Sequence, residues 1–407
     1  MTDLAGLVQI EDPAFYTVDN ARVLSRLRTE APVFFYEPIG CWVLSRYDDI
    51  RYVEKTPAIF TTTRGTLLNS ARYRGDMERG FFDDDAELLS ILDPPRHGQL
   101  RRRIAPAFTP RMIGRLEDAV RATCKQLLGQ LRDGQPVEFV HEIARIIPTR
   151  AVAQLLGVPA DAIDVDQLIF WADELFKVGA PLPDEELAEA ARNVVALREF
   201  VLDMLTRKRD EPGKDLMSVL AAAQAESPEL TVANIVMLAE LVLIAGIDTT
   251  RNTLSAAMWA LSSHPDQMAL LASSHGLVGR AVEEVLRWIT PVPGFTRSTT
   301  QAVELHGQRI SAGDYVYMLY FAANRDEQYW QDADSFDITR RPEPPVLSFG
   351  YGQHACIGAA LARLEVRVFL EEMLRKFSTV QLAGPPERVP SAMQHGWAQL
   401  PLTFGAY

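Results

Sequence analysis

Among the three cysteines of the chain, Cys356 has the most unusual surroundings. The stretch "SFGYGQHACIGAALARLEV", residues 348–366, sets it among Gly350, Gly352 and Gly358, two residues after His354 and just before an apolar helical pattern. Glycines at this density let a loop lie closer to another surface than side chains permit. A helix starting near Ile357 would aim its N-terminal amides at the sulfur and favour the thiolate. The commonest fate of a free cysteine is a small buried hydrophobe, and three chemical roles compete with it. A nucleophile needs an activating base, which His354 could supply, but the loop lacks the signatures of cysteine enzymes. A zinc ion or iron–sulfur cluster needs more cysteines, and no Cys-x-x-Cys occurs. An axial thiolate on haem needs one sulfur only, and there it pushes electron density onto the iron and favours O–O cleavage.

The elements that must position this loop read as mostly helical. "TPRMIGRLEDAVRATCKQLLGQL", "LAEAARNVVALREFVLDMLTRKRD" and "GLVGRAVEEVLRWIT" each repeat apolar residues at i, i+3, i+4 and i+7. The longest helix is predicted from an N-cap at Thr231 to His264-Pro265. Its length of about 33 residues corresponds to roughly 50 Å, a beam across the whole molecule. Gly246, Thr249 and Thr250 cluster around Asp248 on this beam, which predicts a local distortion at a buried polar site. Strands are predicted in "APVFFYEPIGCWVLSRYDDIRYV", as a hairpin leading into a helix, and in "VELHGQRISAGDYVYMLYFAAN", with a turn at His306-Gly307 and strand formers from Val316 to Tyr320. The fold class is therefore mainly α with a small β portion.

Composition narrows the function classes. With 407 residues, 47% hydrophobic and 23% charged, the chain can bury a large core. No linker, repeat or low-complexity tract divides it, so residues 1–407 are predicted to form one domain. A net charge of -13 argues against a general nucleic-acid binder. Cys41, Cys124 and Cys356, odd in number and far apart, suit a reducing compartment. The start "MTDLAGLVQIEDPAFY" lacks a basic segment followed by an apolar one, and the apolar stretch from Leu241 to Ile247, bounded by Glu240 and Asp248, is far shorter than the roughly 20 residues that span a bilayer. A soluble cytoplasmic protein with no membrane partner is expected.

Phe349-Gly350-Tyr351-Gly352-Gln353-His354-Ala355-Cys356-Ile357-Gly358 matches Phe-Gly-x-Gly-x-His-x-Cys-x-Gly at every fixed position, and here the sequence resembles the cytochrome P450 family. Further matches follow in the family's order: "DPPRHGQLRRRIAPAFTP", "AGIDTT", "EEVLR" with "DSFDITR", and the register segment "AANRDEQYW". The resemblance spans nearly the whole chain and implies the P450 fold, a single triangular-prism-like unit around a long central helix. It also implies haem b as cofactor, with Cys356 as the metal ligand. Phe349, Gly350, His354 and Gly358 would shape the cofactor loop, and Ala245 and Gly246 would cross over the ring; at Ala245 many bacterial members have glycine. Asp248 and Thr249 would be the acid–alcohol pair that delivers protons for O–O cleavage. His97, Arg101, Arg297 and His354 would bind the haem propionates. Glu284, Arg287 and Arg340 would form a buried structural network.

The chain has no dinucleotide fingerprint or flavin domain. The resemblance therefore implies a monomeric oxygenase fed by a ferredoxin and a ferredoxin reductase, with Arg101, Arg102, Arg103, Arg111, Arg363 and Arg367 as a docking patch. Dioxygen and a small hydrophobic substrate would meet at a pocket drawing on the loop from about Thr63 to Ser90, the region around Phe170 to Pro181, Ile244, Val292, Phe295 and Trp397. Arg64, Arg72 and Arg74 are candidates to receive a substrate carboxylate. A peroxide-dependent peroxygenase is the alternative within the fold, and a non-catalytic haem sensor the alternative outside enzymology. Neither needs the Asp248–Thr249 relay.

Overall fold

The computed structural model describes residues 4–17, 20–75, 86–159, 164–178, 184–227 and 229–407. Its axis is the helix Val232–Ser263, 32 residues long, closed at the start by a reciprocal capping box between Thr231 and Asn234. His264 caps the other end, and Pro265 opens the next helix. This helix is long and apolar enough to cross a membrane, so the span is longer than the Leu241–Ile247 stretch alone suggests. Most of its side chains are nonetheless packed in the protein core, from Ile235 and Leu238 at one end to Met258 and Leu261 at the other.

Around this beam pack the helices Ile146–Leu156, Val165–Val178, Asp184–Asp210, Val278–Ile289 and Ala359–Leu374. The sequence "TPRMIGRLEDAVRATCKQLLGQL" forms two helices, Pro110–Gly114 and Glu117–Gln130, rather than one. Gly246 shows why a weak helix former sits mid-helix: a β-carbon there would lie 2.6 Å from Cγ2 of Val152. The missing side chain thus serves packing against Ile146–Leu156. Helical structure continues through Asp248 and Thr250, and the Thr249 hydroxyl bonds back to the Ala245 carbonyl one turn earlier.

The β portion is larger than two hairpins. Val33–Tyr36 and Cys41–Leu44 pair as predicted, and Tyr47–Lys55 follows as a helix. Tyr315–Leu319 joins Cys41–Leu44 in parallel, then Gly294–Thr299 and Phe60–Thr61 complete a five-stranded sheet. The His306-Gly307 turn, with φ of 50° and 73°, closes a separate hairpin between Val303–Leu305 and Gln308–Ile310. The Val316–Tyr320 region belongs to the large sheet because all five residues of Tyr315–Leu319 are buried, as a central strand requires.

Candidate active site

Two helices and a loop hold the cysteine. Leu347–Phe349 makes a short helical turn, Gly350 and Gly352 adopt φ of 64° and 69°, and the amide of Cys356 returns to the Phe349 carbonyl at 2.8 Å. Those angles favour glycine, and at Gly352 a β-carbon would also lie 2.6 Å from the carbonyl oxygen of Glu54. Gly358 then caps Ala359–Leu374. Cys356 keeps exposed surface although protein surrounds it, the mark of a group lining an internal cleft. Burial pushes its thiol up; the backbone amides of Gly358 and Ala359 and the guanidinium groups of Arg101 and Arg363 act in the opposite direction. Cys41 and Cys124 are buried, and burial raises both thiols, Cys124 to about 12.

The loop is anchored from beneath. Arg287 and Glu284, with side chains 1% and 2% exposed, form a two-pronged ion pair with both contacts at 2.8 Å. Arg287 also donates to the carbonyls of Asn324, Ala333 and Ser335, and Arg340 reaches Glu284 at 3.4 Å. The three residues predicted to meet do meet. In the segment "AANRDEQYW", Asn324 is the tie: its Nδ2 donates to Thr290 and Ser348, and its Oδ1 accepts the Leu347 amide at 2.7 Å. Ser348 donates in turn to the Leu286 carbonyl. A lone asparagine directly after the apolar run from Tyr315 to Ala323 is the signal the sequence holds.

Four cationic or ionisable groups gather beside the loop. His97 and Arg101 lie on Arg96–Ile104, four residues apart, and Arg297 on Gly294–Thr299. The rings of His97 and His354 lie 4.1 Å apart, and Arg101 donates to the Ala355 carbonyl at 2.5 Å. Burial depresses both histidines, His97 to about 4, and the nearby Arg101 and Arg297 add to the effect. The Nε2 of His354 is buried without a partner, as is the side-chain nitrogen of Gln353. Clustered buried donors with so little acid among them are suited to carboxylates from outside the chain.

On the central helix, Ala245 is exposed while Leu243 and Ile247 are buried, so this turn faces open space. The Thr249 hydroxyl donates to the Ala245 carbonyl at 2.7 Å. Asp248 points elsewhere. It is buried, paired with Arg251 at 2.9 Å, and bonded to Gln394. Burial raises its carboxyl, and Arg251 and Gln394 oppose the shift.

The substrate-side residues divide. Ile244, Val292 and Phe295 retain partial exposure. Trp397 does not: it is fully buried, with Trp259, His395 and Arg388 stacked around it, and so lies behind the wall of any cavity. The candidate carboxylate receivers are also occupied. Arg64 donates to the Gly313 carbonyl, Arg72 pairs with Glu11, and Arg74 donates to the Gly40 carbonyl. Residues 76–85 and 179–181 of the predicted pocket lie outside the described residues.

Comparison with known proteins agrees with this geometry. The family model "Cytochrome P450" matches residues 165–273 and 276–403. A methyl-branched lipid omega-hydroxylase of Mycobacterium bovis is 32% identical over 93% of this chain and 89% of its own length. A steroid C26-monooxygenase of Mycolicibacterium smegmatis is 30% identical over 88% of this chain and 82% of its own. Among solved structures, cytochrome P450-153 from Novosphingobium aromaticivorans superposes with a TM-score of 0.84 at 28% identity, covering 97% of this chain and 99% of that one. The chain belongs to the cytochrome P450 family, and it is a P450 monooxygenase whose cofactor is haem b. The residues present fit that group: a thiol flanked by helix N-terminal amides for the iron, and a cluster of buried donors for two carboxylates.

Proposed function

We propose that the protein hydroxylates a small hydrophobic organic substrate, using dioxygen and electrons delivered by a ferredoxin and its reductase. Residues 1–407 act as one domain and one monomer in the cytoplasm. Bound haem supplies the oxidising chemistry, with Cys356 as its thiolate ligand. His97, Arg101, Arg297 and His354 hold its carboxylates, and Phe349, braced by the Arg363 guanidinium 4.4 Å from its ring, supports the loop. The observation that supports the monooxygenase reading is Thr249 on the open turn beside Ala245, next in sequence to a buried acid that faces Arg251 and Gln394. Thr249 presents a hydroxyl where protons are consumed; Asp248, its carboxyl raised by burial, is placed to resupply them from the Arg251 and Gln394 side. A peroxygenase or a sensor has no use for this arrangement.

Ile244, Val292 and Phe295 give the substrate site an apolar character, in keeping with relatives named for a lipid and a steroid. For the electron donor, Arg363 and Arg367 are already paired, with Glu283 and with Glu117 and Glu371. Arg101 is turned inward, so Arg102, Arg103 and Arg111 remain as the basic surface for an acidic ferredoxin. Product formation from a panel of lipids and steroids, driven either by NADPH with a ferredoxin system or by peroxide, tests the reading. Turnover with the ferredoxin system well above the peroxide rate is expected; turnover with peroxide alone would replace it with the peroxygenase, and none with either with the sensor.

A further inference from the structure

Glu54 stands near the end of the helix Tyr47–Lys55, at the seam between the sheet and the cysteine loop. Its side chain is 1% exposed. One carboxylate oxygen accepts the Tyr320 hydroxyl at 2.6 Å and lies 3.9 Å from Nη2 of Arg297; the other is buried with no partner. The backbone N–H of Tyr351, inside the Phe-Gly-x-Gly run, acts on the same carboxylate. The helix also touches the loop through its backbone, since the Glu54 carbonyl closes the space beside Gly352. On its other side, Arg297 faces the His97, Arg101 and His354 cluster, as the depression of both histidines by Arg297 records. Arg297 is thus held between a buried acid and the place where the cofactor carboxylates bind. Burying a carboxylate with one guanidinium at a distance, one hydroxyl and one amide leaves it under-compensated.

We propose that Glu54 is a positioning residue for the cofactor, holding Arg297 from behind and tying it, through Tyr320 and the Tyr351 amide, to the start of the Cys356 loop. One buried side chain then sets both the aim of a propionate-binding guanidinium and the placement of the loop that carries the iron ligand. This rests on the haem-thiolate reading. It goes further by giving the helix Tyr47–Lys55, which bears none of the family motifs, a part in tuning the cofactor. Burial pushes the Glu54 carboxyl up to about 7, with Arg297, Tyr320 and Tyr351 opposing. A negative charge at this point disfavours addition of an electron nearby, so the ionised form lowers the reduction potential and the neutral form relieves it. The groups facing Glu54 are Arg297, the Tyr320 hydroxyl and the Tyr351 amide.

The test uses the haem-loaded protein and the variants Glu54→Gln and Glu54→Leu. Reduction potentials are measured from pH 5.5 to 8.5, and haem loss is followed by transfer to apomyoglobin. Glu54→Gln is expected to raise the potential above pH 7, with the difference from wild type closing as the pH falls below that point. Glu54→Leu is expected to lose haem at least about tenfold faster. If Glu54→Leu does not fold, the Glu54→Gln potential difference decides alone. Equal potentials for wild type and Glu54→Gln across the range would overturn the proposal. A wild type without the red-shifted carbon monoxide band of a thiolate-ligated haem would overturn the family reading instead, whatever the variants do.

Discussion

Replacing Arg287 gives the sharpest check on the network beneath the cysteine loop. The side chain makes five hydrogen bonds at 2.7–3.0 Å, two to Glu284 and three to carbonyls of Asn324, Ala333 and Ser335. Methionine in its place would leave a buried carboxylate with only Arg340 at 3.4 Å and the Asp337 amide at 2.9 Å, at about 3 kcal/mol. It would also orphan the carbonyls of Asn324 and Ala333, at about 1 kcal/mol or more each, while that of Ser335 keeps Arg340 at 3.3 Å. The sum approaches the whole stability of an ordinary protein, about 5–15 kcal/mol, so Arg287→Met should not accumulate as folded protein. Lysine is the measurable version. It keeps the charge but has three donors in place of a planar fork, so at least two of the five bonds are lost, at about 2 kcal/mol or more. Glu284→Gln keeps an acceptor for the Asp337 amide, now 2.9 Å away, but removes the charge. A double-mutant cycle on Glu284→Gln and Arg287→Lys, read by urea unfolding, should give a coupling of about 2–3 kcal/mol. Single-variant losses below about 0.5 kcal/mol that simply add would show a solvated surface pair and refute the buried-network account.

Three further outcomes are expected. Thr249→Ala removes one hydroxyl that, among the described residues, bonds to the Ala245 carbonyl alone, so stability should fall by less than about 1 kcal/mol. Haem content should stay the same while reducing equivalents go to peroxide and coupled product falls on the order of a hundredfold or more; unchanged coupling would dismiss the relay. Arg251→Gln removes the partner that lowers the Asp248 carboxyl, so the ionisation governing coupled turnover should move to higher pH, and an unmoved pH profile would count against Asp248 as the acid. His395 is buried and depressed to about 3 by desolvation, with Arg388 adding to it. Its protonation therefore favours the unfolded chain: stability is complete above about pH 6.5 and erodes toward pH 3, by about 2 kcal/mol at pH 5. His395→Gln should flatten the acid limb of the urea midpoint by about that amount; an identical limb would mean that His395 already titrates in the folded protein.

What could be read from the sequence was whatever depends on local spacing. The 3.6-residue period and the Thr231 cap located the central helix within a residue, because both signals lie in the segment itself. The Cys356 loop was equally legible, since its glycines answer to backbone angles that few other residues adopt. Roles that depend on what arrives from elsewhere in the chain were not legible. Trp397 reads as a large aromatic near a cavity and turns out to be enclosed by Trp259, His395 and Arg388, none of them near it in sequence except His395. The close approach of Gly246 to Val152, 94 residues earlier, is likewise invisible in the local pattern. Asn324 sits in a segment read only for register and Glu54 in no motif, and each matters through partners brought in from other elements.

The most direct test of the central claim is the carbon monoxide difference spectrum of the reduced, haem-loaded protein, recorded beside that of Cys356→Ser. Coordination by the Cys356 thiolate predicts a strongly red-shifted Soret band in the wild type and its loss in the variant. A wild type without that band, or a variant that keeps it, would contradict the assignment of Cys356 as the iron ligand and the chemistry built on it.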